Sequence, residues 1–166
     1  NFVKAAAIQK AIGPTGNHPQ EYLRVIDAAC GRGGDLGKYL HYPGIKRYIG
    51  YDMCEERLRS ARQRATRSTM QAMFFKGDLT DPNVLSKCNI DEQANMVSAM
   101  FSVHYAFGTE ENARAFFESS YRALCPGGIL VGTRVNPTKL KEYIDTDTMS
   151  WSNYVCSVEF EQPGVK

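Results

Sequence analysis

The chain has five cysteines, at positions 30, 54, 88, 125 and 156, and no two of them stand in C-x-x-C spacing. A scattered, odd set excludes a disulfide framework and a zinc site, and reads as the reduced thiols of a cytosolic or nuclear protein. No run approaches the roughly 18 consecutive apolar residues of a membrane span, and no signal peptide is visible. An excess of one charge is missing as well: 20 Lys and Arg stand against 18 Asp and Glu, a net +2. No broad basic surface is therefore expected, although a local pocket can still grip a nucleotide. There is no internal repeat and no low-complexity segment. A full G-x-G-x-x-G is also absent, which argues against a dinucleotide-binding turn.

What is present fits one globular domain with one buried core: 166 residues, 43% hydrophobic and 23% charged. Residues 1–12 predict an alanine-rich amphipathic helix, stopped by Gly13-Pro14. Strands are expected at 23–29, 46–52, 70–76, 94–101 and 129–133. Helices are expected at 35–41, 55–67, 110–124 and 137–144, with Thr109 capping the third of these. In that helix Ala113, Phe116, Phe117, Tyr121 and Leu124 form the apolar stripe. Pro126-Gly127-Gly128 reads as a turn, and 154–160 alternates like a further strand. Helices alternating with strands imply an α/β fold, a mostly parallel sheet with helices on both faces. Ligands of such sheets sit outside the carboxyl ends of the strands.

The first of those ends is the most informative. Leu23-Arg24-Val25-Ile26 runs into Asp27-Ala28-Ala29-Cys30-Gly31-Arg32-Gly33-Gly34-Asp35-Leu36, a glycine turn that opens a helix. Glycines there let a ligand approach bare backbone. Asp27 and Asp35 flank the turn. Acids suit a ligand with positive charge, such as the sulfonium of S-adenosylmethionine, and repel the pyrophosphate of NAD. Asp52 ends the second strand, where a carboxylate accepts two bonds from ribose hydroxyls. Asp78 follows the third, within reach of an adenine amino group.

Four motifs carry a family likeness: Asn1-Phe2-Val3-Lys4; Gly31-Arg32-Gly33-Gly34-Asp35-Leu36; Phe101-Ser102-Val103-His104-Tyr105-Ala106-Phe107; and Gly132-Thr133-Arg134-Val135-Asn136. Together they resemble the mRNA cap guanine-N7 methyltransferases from residue 1 to about residue 160. The family patterns are Asn-Trp-hydrophobic-Lys, Gly-Lys-Gly-Gly-Asp-Leu, an aromatic two spacers before His-Tyr-x-Phe, and Gly-Thr-x-Pro-Asn. The resemblance implies a Rossmann-like class I methyltransferase fold. It implies cofactor contacts from Lys4, Asp27, Ala29, Gly31, Asp35, Asp52, Asp78, Met100 and Tyr105. Cap contacts would come from Asn1, Arg32, Leu58, Phe101, His104 and Tyr105. Phe101 and Tyr105 would wall the guanine, His104 would donate to its O6, and Arg32 would face the cap phosphates. Three positions depart from the pattern: Ala29 stands for a glycine, Met100 for a glutamine and Val135 for a proline.

The expected reaction is transfer of the S-adenosylmethionine methyl to guanine N7, whose free lone pair needs no general base. No catalytic acid, base or metal is expected, because alignment does the work. The expected partner is 5′-capped RNA, with the guanylyltransferase and triphosphatase of the capping apparatus as further candidates. A monomer is expected, in the nucleus, or in the cytoplasm for a viral or cytoplasmic capping system. The family continues past the strand at 154–160 with strands bearing an acid and a tyrosine for the cap. Residues 1–166 are therefore expected to be a single methyltransferase domain truncated at its C-terminus. Two alternatives remain: a methyltransferase for another small heteroaromatic substrate, and a non-catalytic cofactor-binding subunit of a capping complex.

Overall fold

The computed structural model describes residues 2–12, 23–66, 68, 70–144, 150–152 and 157–159. The chain falls into two compact units, Asn1–Arg134 and Val135–Lys166.

In the first unit five strands form one parallel sheet: β1 (Leu23–Ala28), β2 (Ile45–Asp52), β3 (Gln71–Lys76), β4 (Ala94–Met100) and β5 (Leu124–Thr133), in the order β3-β2-β1-β4-β5. The order reverses between β1 and β4, and that switch point is where the carboxyl ends open a crevice. Helices α1 (Phe2–Ile12), α2 (Leu36–Tyr39) and α3 (Glu55–Ala65) cover one face. Ile8, Tyr39, Leu58 and Ala61 from these helices pack there on Val25, Tyr48 and Met96. Helices α4 (Val84–Lys87) and α5 (Glu110–Ala123), with a 3-10 segment at Val103–Gly108, cover the other. Val84, Ala106 and Phe116 from these elements pack on Ile26, Ile49 and Val97. The central strands β1 and β4 are thus buried on both sides, as a parallel sheet requires. The doubly covered α/β sheet is the expected architecture.

Two local readings are corrected. Helix α5 starts where expected, with Thr109 accepting a bond from the Asn112 amide at 3.2 Å. It is, however, rotated from the predicted stripe: Phe116 is in the core, whereas Phe117 is 45% and Tyr121 79% exposed. Ser119 and Ser120 are buried in their place, and the Ser119 hydroxyl donates to the Phe116 carbonyl at 3.1 Å, which offsets its burial. Pro126-Gly127-Gly128 does not separate helix from strand. It lies inside β5, where β4 advances from Ala94 to Met96 while β5 advances from Leu124 to Ile129. The extra residues bulge out of the ladder, and Gly127 takes a left-handed φ of 79°.

The second unit holds α6 (Pro137–Tyr143), capped by Asn136 through the Thr138 and Lys139 amides, and the antiparallel pair β6 (Ser150–Ser152) and β7 (Ser157–Glu159). Strand β7 falls within the stretch read as alternating; 154–156 and 160 lie outside the described residues.

Candidate functional site

The crevice is tied together by main-chain and side-chain bonds at the strand ends. One Asp52 oxygen accepts from the Gly31 amide and the other from the Cys54 amide, each at 2.9 Å. The carboxylate thereby fixes both the glycine turn after β1 and the entry to α3, while it is 3% exposed. Gly31 takes φ +56°, and a Cβ built on it meets nothing within 4 Å. The turn therefore presents open backbone on its outer side. Gly33 closes the inner side: at φ +67°, an added Cβ would stand 3.1 Å from the Ala61 Cβ. Only glycine allows α3 to pack that closely. Asp78, after β3, spends one oxygen on the Thr80 amide and hydroxyl, both at 2.9 Å. Its second oxygen has no partner among the described residues.

Asp27 and Asp35, the acids that flank the turn, each have partners within the protein. Asp27 is 2% exposed, and its oxygens accept from the Tyr48 hydroxyl at 2.6 Å and the Ser98 hydroxyl at 2.7 Å. Tyr39 donates to Ser98 at 2.8 Å, completing a buried chain of four polar groups beneath the crevice floor. Burial pushes the Asp27 carboxyl up to about 6, against the lowering effect of its two hydroxyl donors. The group holds β1, β2 and β4 together. Asp35 lies between two ammonium groups, Lys4 and Lys38, each 2.7 Å away. Its charge is spent on them. Lys4, expected to hold the cofactor carboxylate, thus reaches Asp35 and also stands 5.4 Å from the Phe101 ring centre. Sequence reasoning missed Tyr48, Ser98 and Lys38.

Cys30 sits beside these acids, and burial with neighbouring Asp27 and Asp52 pushes its thiol up, so it is no nucleophile. Among the described residues no group of three or more His, Cys, Asp or Glu is arranged to hold a metal ion.

Two non-glycine residues at adjacent strand ends take left-handed backbone, Ala29 at φ 54° and Phe101 at φ 57°. Such strain costs of order 1–3 kcal/mol per residue and gathers at functional sites. At Phe101 it is held by the amide, which donates to the Thr133 carbonyl at 3.0 Å and hydroxyl at 2.9 Å. The ring is left 46% exposed. The next residue ties this segment to β1, the Ser102 hydroxyl donating to the Ala28 carbonyl at 3.3 Å. His104 and Tyr105 follow, both exposed, with ring centres 4.2 Å apart. Met100 is buried, its sulfur 3.9 Å from the Thr133 hydroxyl. Arg32 is exposed on the turn. Leu58 is a correction: at 0% exposure it belongs to the core between α3 and the sheet and has no surface to offer a ligand. Asn1 lies outside the described residues.

Ala29→Gly is expected to stabilise the fold slightly. Relief of about 1–2 kcal/mol of left-handed strain outweighs a loss of about 0.5–1 kcal/mol from unfolded-chain entropy. The thermal midpoint should rise by about 1–2 °C; a fall in calorimetry would contradict this account.

The family model described as the mRNA (guanine-N(7))-methyltransferase domain matches residues 1–166. The chain belongs to that family. As a member of the cap methyltransferase family, it is similar to the mRNA cap guanine-N(7) methyltransferase of Schizosaccharomyces pombe, at 30% identity over 98% of this chain and 46% of that protein. The corresponding protein of Cryptococcus neoformans is 32% identical over 98% of this chain and 23% of its own length. The chain thus spans less than half of these relatives. A solved S-adenosylmethionine-dependent methyltransferase from Clostridium acetobutylicum superposes with a TM-score of 0.71, at 16% identity, over 93% of this chain and 58% of that one. That likeness shows the expected Rossmann-like fold.

Proposed function

We propose that this chain transfers the methyl group of S-adenosylmethionine to guanine N7 of the 5′ cap of mRNA, and that its two units are parts of one methyltransferase domain. The observation that carries the reading is the pairing of two features at one crevice. Asp52 holds a glycine turn whose outer face is open, and beside it stand the exposed rings of Phe101 and Tyr105. The residues present fit the cofactor. A carboxylate has about four acceptor positions, and the Gly31 and Cys54 amides use two, leaving capacity for a ribose diol. The free oxygen of Asp78 suits an exocyclic amine, and Gly31 gives backbone access. Ala29, Met100 and Tyr105 would border the methionine part, and Lys4 would share its ammonium between Asp35 and a carboxylate.

When bound, the cofactor supplies an electrophilic methyl on sulfonium. The chain's own task is orientation. Stacking on Phe101 and Tyr105 fixes the plane of the guanine and favours the cationic methylated ring over the neutral one. His104 donates to O6 and sets the rotation of the base in that plane, while Arg32 meets the phosphate bridge. N7 brings its own lone pair, so no side chain has to accept a proton there.

Capped RNA is the proposed substrate, the guanylyltransferase and triphosphatase the proposed associates, the monomer the proposed state and the nucleus the proposed location. The deciding assay uses labelled cofactor and GpppA-capped RNA beside a panel of small heteroaromatic metabolites. His104→Ala should cut methylation of the cap about tenfold, equivalent to about 1.4 kcal/mol, with cofactor affinity unchanged. Wild-type turnover in that variant would sink the role given to His104.

A further inference from the structure

Phe101 is the one aromatic residue with left-handed backbone among the described residues, at φ 57°. For a bulky side chain that conformation is an outlier, and it persists only where neighbours fix it. Two of those neighbours are Gly132 and Thr133 at the carboxyl end of β5, a dipeptide of the Gly-Thr-x-Pro-Asn-like motif.

Each of the two seats one residue of the segment that follows β4. Thr133 stands opposite Met100 in the parallel ladder. Its carbonyl accepts the Phe101 amide at 3.0 Å, and its hydroxyl accepts the same amide at 2.9 Å. One N–H is thus shared by two acceptors on one residue, and both fix its direction. The hydroxyl donates its own hydrogen to the Met100 sulfur at 3.9 Å, which leaves its lone pairs for Phe101. Gly132 seats Val103: a Cβ built on the glycine would stand 2.5 Å from the Val103 Cγ2 and 3.1 Å from the Ala99 carbonyl oxygen. Any larger residue there would push the 3-10 segment off β5. Ser102, between them, is buried and tied to the Ala28 carbonyl of β1. Three successive residues are therefore held by β5, β1 and β5 in turn.

The consequence falls on the ring. The Phe101 side chain is half-exposed, so packing alone does not hold it, and the backbone sets where its Cα–Cβ bond points. We propose that Thr133 is a positioning residue for the methyl acceptor: its hydroxyl, acting through the Phe101 amide, keeps the ring at the angle on which the guanine stacks. The identity of the stacked base rests on the cap reading; the hold on Phe101 does not.

The test compares wild type with Thr133→Val and Thr133→Ser. Valine keeps the β-branched shape that a strand favours and the main-chain bond, and removes only the hydroxyl. Serine restores the hydroxyl without the methyl. Hydrogen exchange at the Phe101 amide, followed by NMR with no ligand present, should be about fivefold faster in Thr133→Val, the worth of one ordinary hydrogen bond. In Thr133→Ser it should return to within about twofold of wild type. With the dinucleotide GpppA as acceptor, KM for GpppA should rise about fivefold in Thr133→Val and recover in Thr133→Ser. The kcat and the KM for S-adenosylmethionine should stay within about twofold in both. A structural role alone would lower the thermal midpoint without separating the two KM values. Equal exchange rates in wild type and Thr133→Val would overturn the proposal. So would faster exchange with an unchanged KM for GpppA, or failure of serine to restore either quantity. Failure of wild type to methylate GpppA would overturn the cap reading instead, and the exchange rates would still decide whether Thr133 holds Phe101.

Discussion

Replacing Asp52 with alanine should weaken binding of S-adenosylhomocysteine by at least about 100-fold in calorimetric titration. Two losses combine. The carboxylate accepts the Gly31 and Cys54 amides at 2.9 Å, and hydrogen bonds to a charged acceptor are worth about 1.5–3 kcal/mol each. Without them the turn and the start of α3 are no longer held in register. The ligand's ribose also loses its acceptor, and the hydroxyls it buries go unpaired. About 2.7 kcal/mol from the two effects together suffices for 100-fold. Asp52→Asn separates them: the amide keeps one acceptor oxygen and the shape, so a loss of about tenfold is expected. Affinity within threefold of wild type for Asp52→Ala would show that the β2 terminus does not hold the ligand.

The second large effect is on stability, and pH reveals its cause. Tyr48→Phe removes the 2.6 Å donor to Asp27, a carboxyl that burial has already raised to about 6 from an ordinary 3.8. For a raised acid, the native state binds the proton more tightly than the unfolded chain does. Its contribution to stability is therefore greatest below 3.8 and is lost as pH rises toward about 6. Above that, the folded protein must hold a buried charge that Tyr48 and Ser98 solvate. Without the tyrosine hydroxyl the charged form has one donor left, and the carboxyl shifts further upward. Urea unfolding should show a loss of about 3 kcal/mol at pH 8, where the charge must be held. At pH 4.5, where the neutral acid loses only an ordinary hydrogen bond, the loss should be about 1 kcal/mol. An equal loss at both pH values would mean that the hydroxyl only fills space.

These two experiments also mark where sequence reading succeeded and where it stopped. The strand ends and the acids that terminate them were legible because apolar runs bounded by glycine and acid have few foldings in an alternating α/β chain. The likeness of four motifs then drew out the aromatic residues that follow β4. Which acid keeps open acceptor capacity was not legible. Asp27 and Asp52 look alike in sequence, but Asp27 points beneath the sheet into Tyr48 and Ser98, partners 21 and 71 residues away. A tyrosine and a serine in strands give no local sign that they converge on one carboxyl. The partner of Asp35 was hidden for a related reason: Lys4, 31 residues earlier, reaches it from another helix. Leu58 shows the limit of transferring a position by likeness alone, since the helix turns that side chain into the core. In α5, the 3.6-residue period fixes the helix but leaves open which of two overlapping stripes is inside. The structure buried the serines and left Phe117 and Tyr121 out.

The ammonium of Lys4 stands at 2.7 Å from Asp35 and 5.4 Å from the Phe101 ring. One charge thus stands between the acid that follows the glycine turn and the ring proposed to stack on the guanine. In the proposed reaction a cofactor that drew this ammonium away from Asp35 would change the affinity for the guanine, and by linkage the guanine would change that for the cofactor by the same factor. Steady-state constants from a Lys4 variant therefore have no separate donor and acceptor parts. The quantity such a variant reports is the interaction between the two sites, obtained by titrating each ligand in the presence and absence of the other.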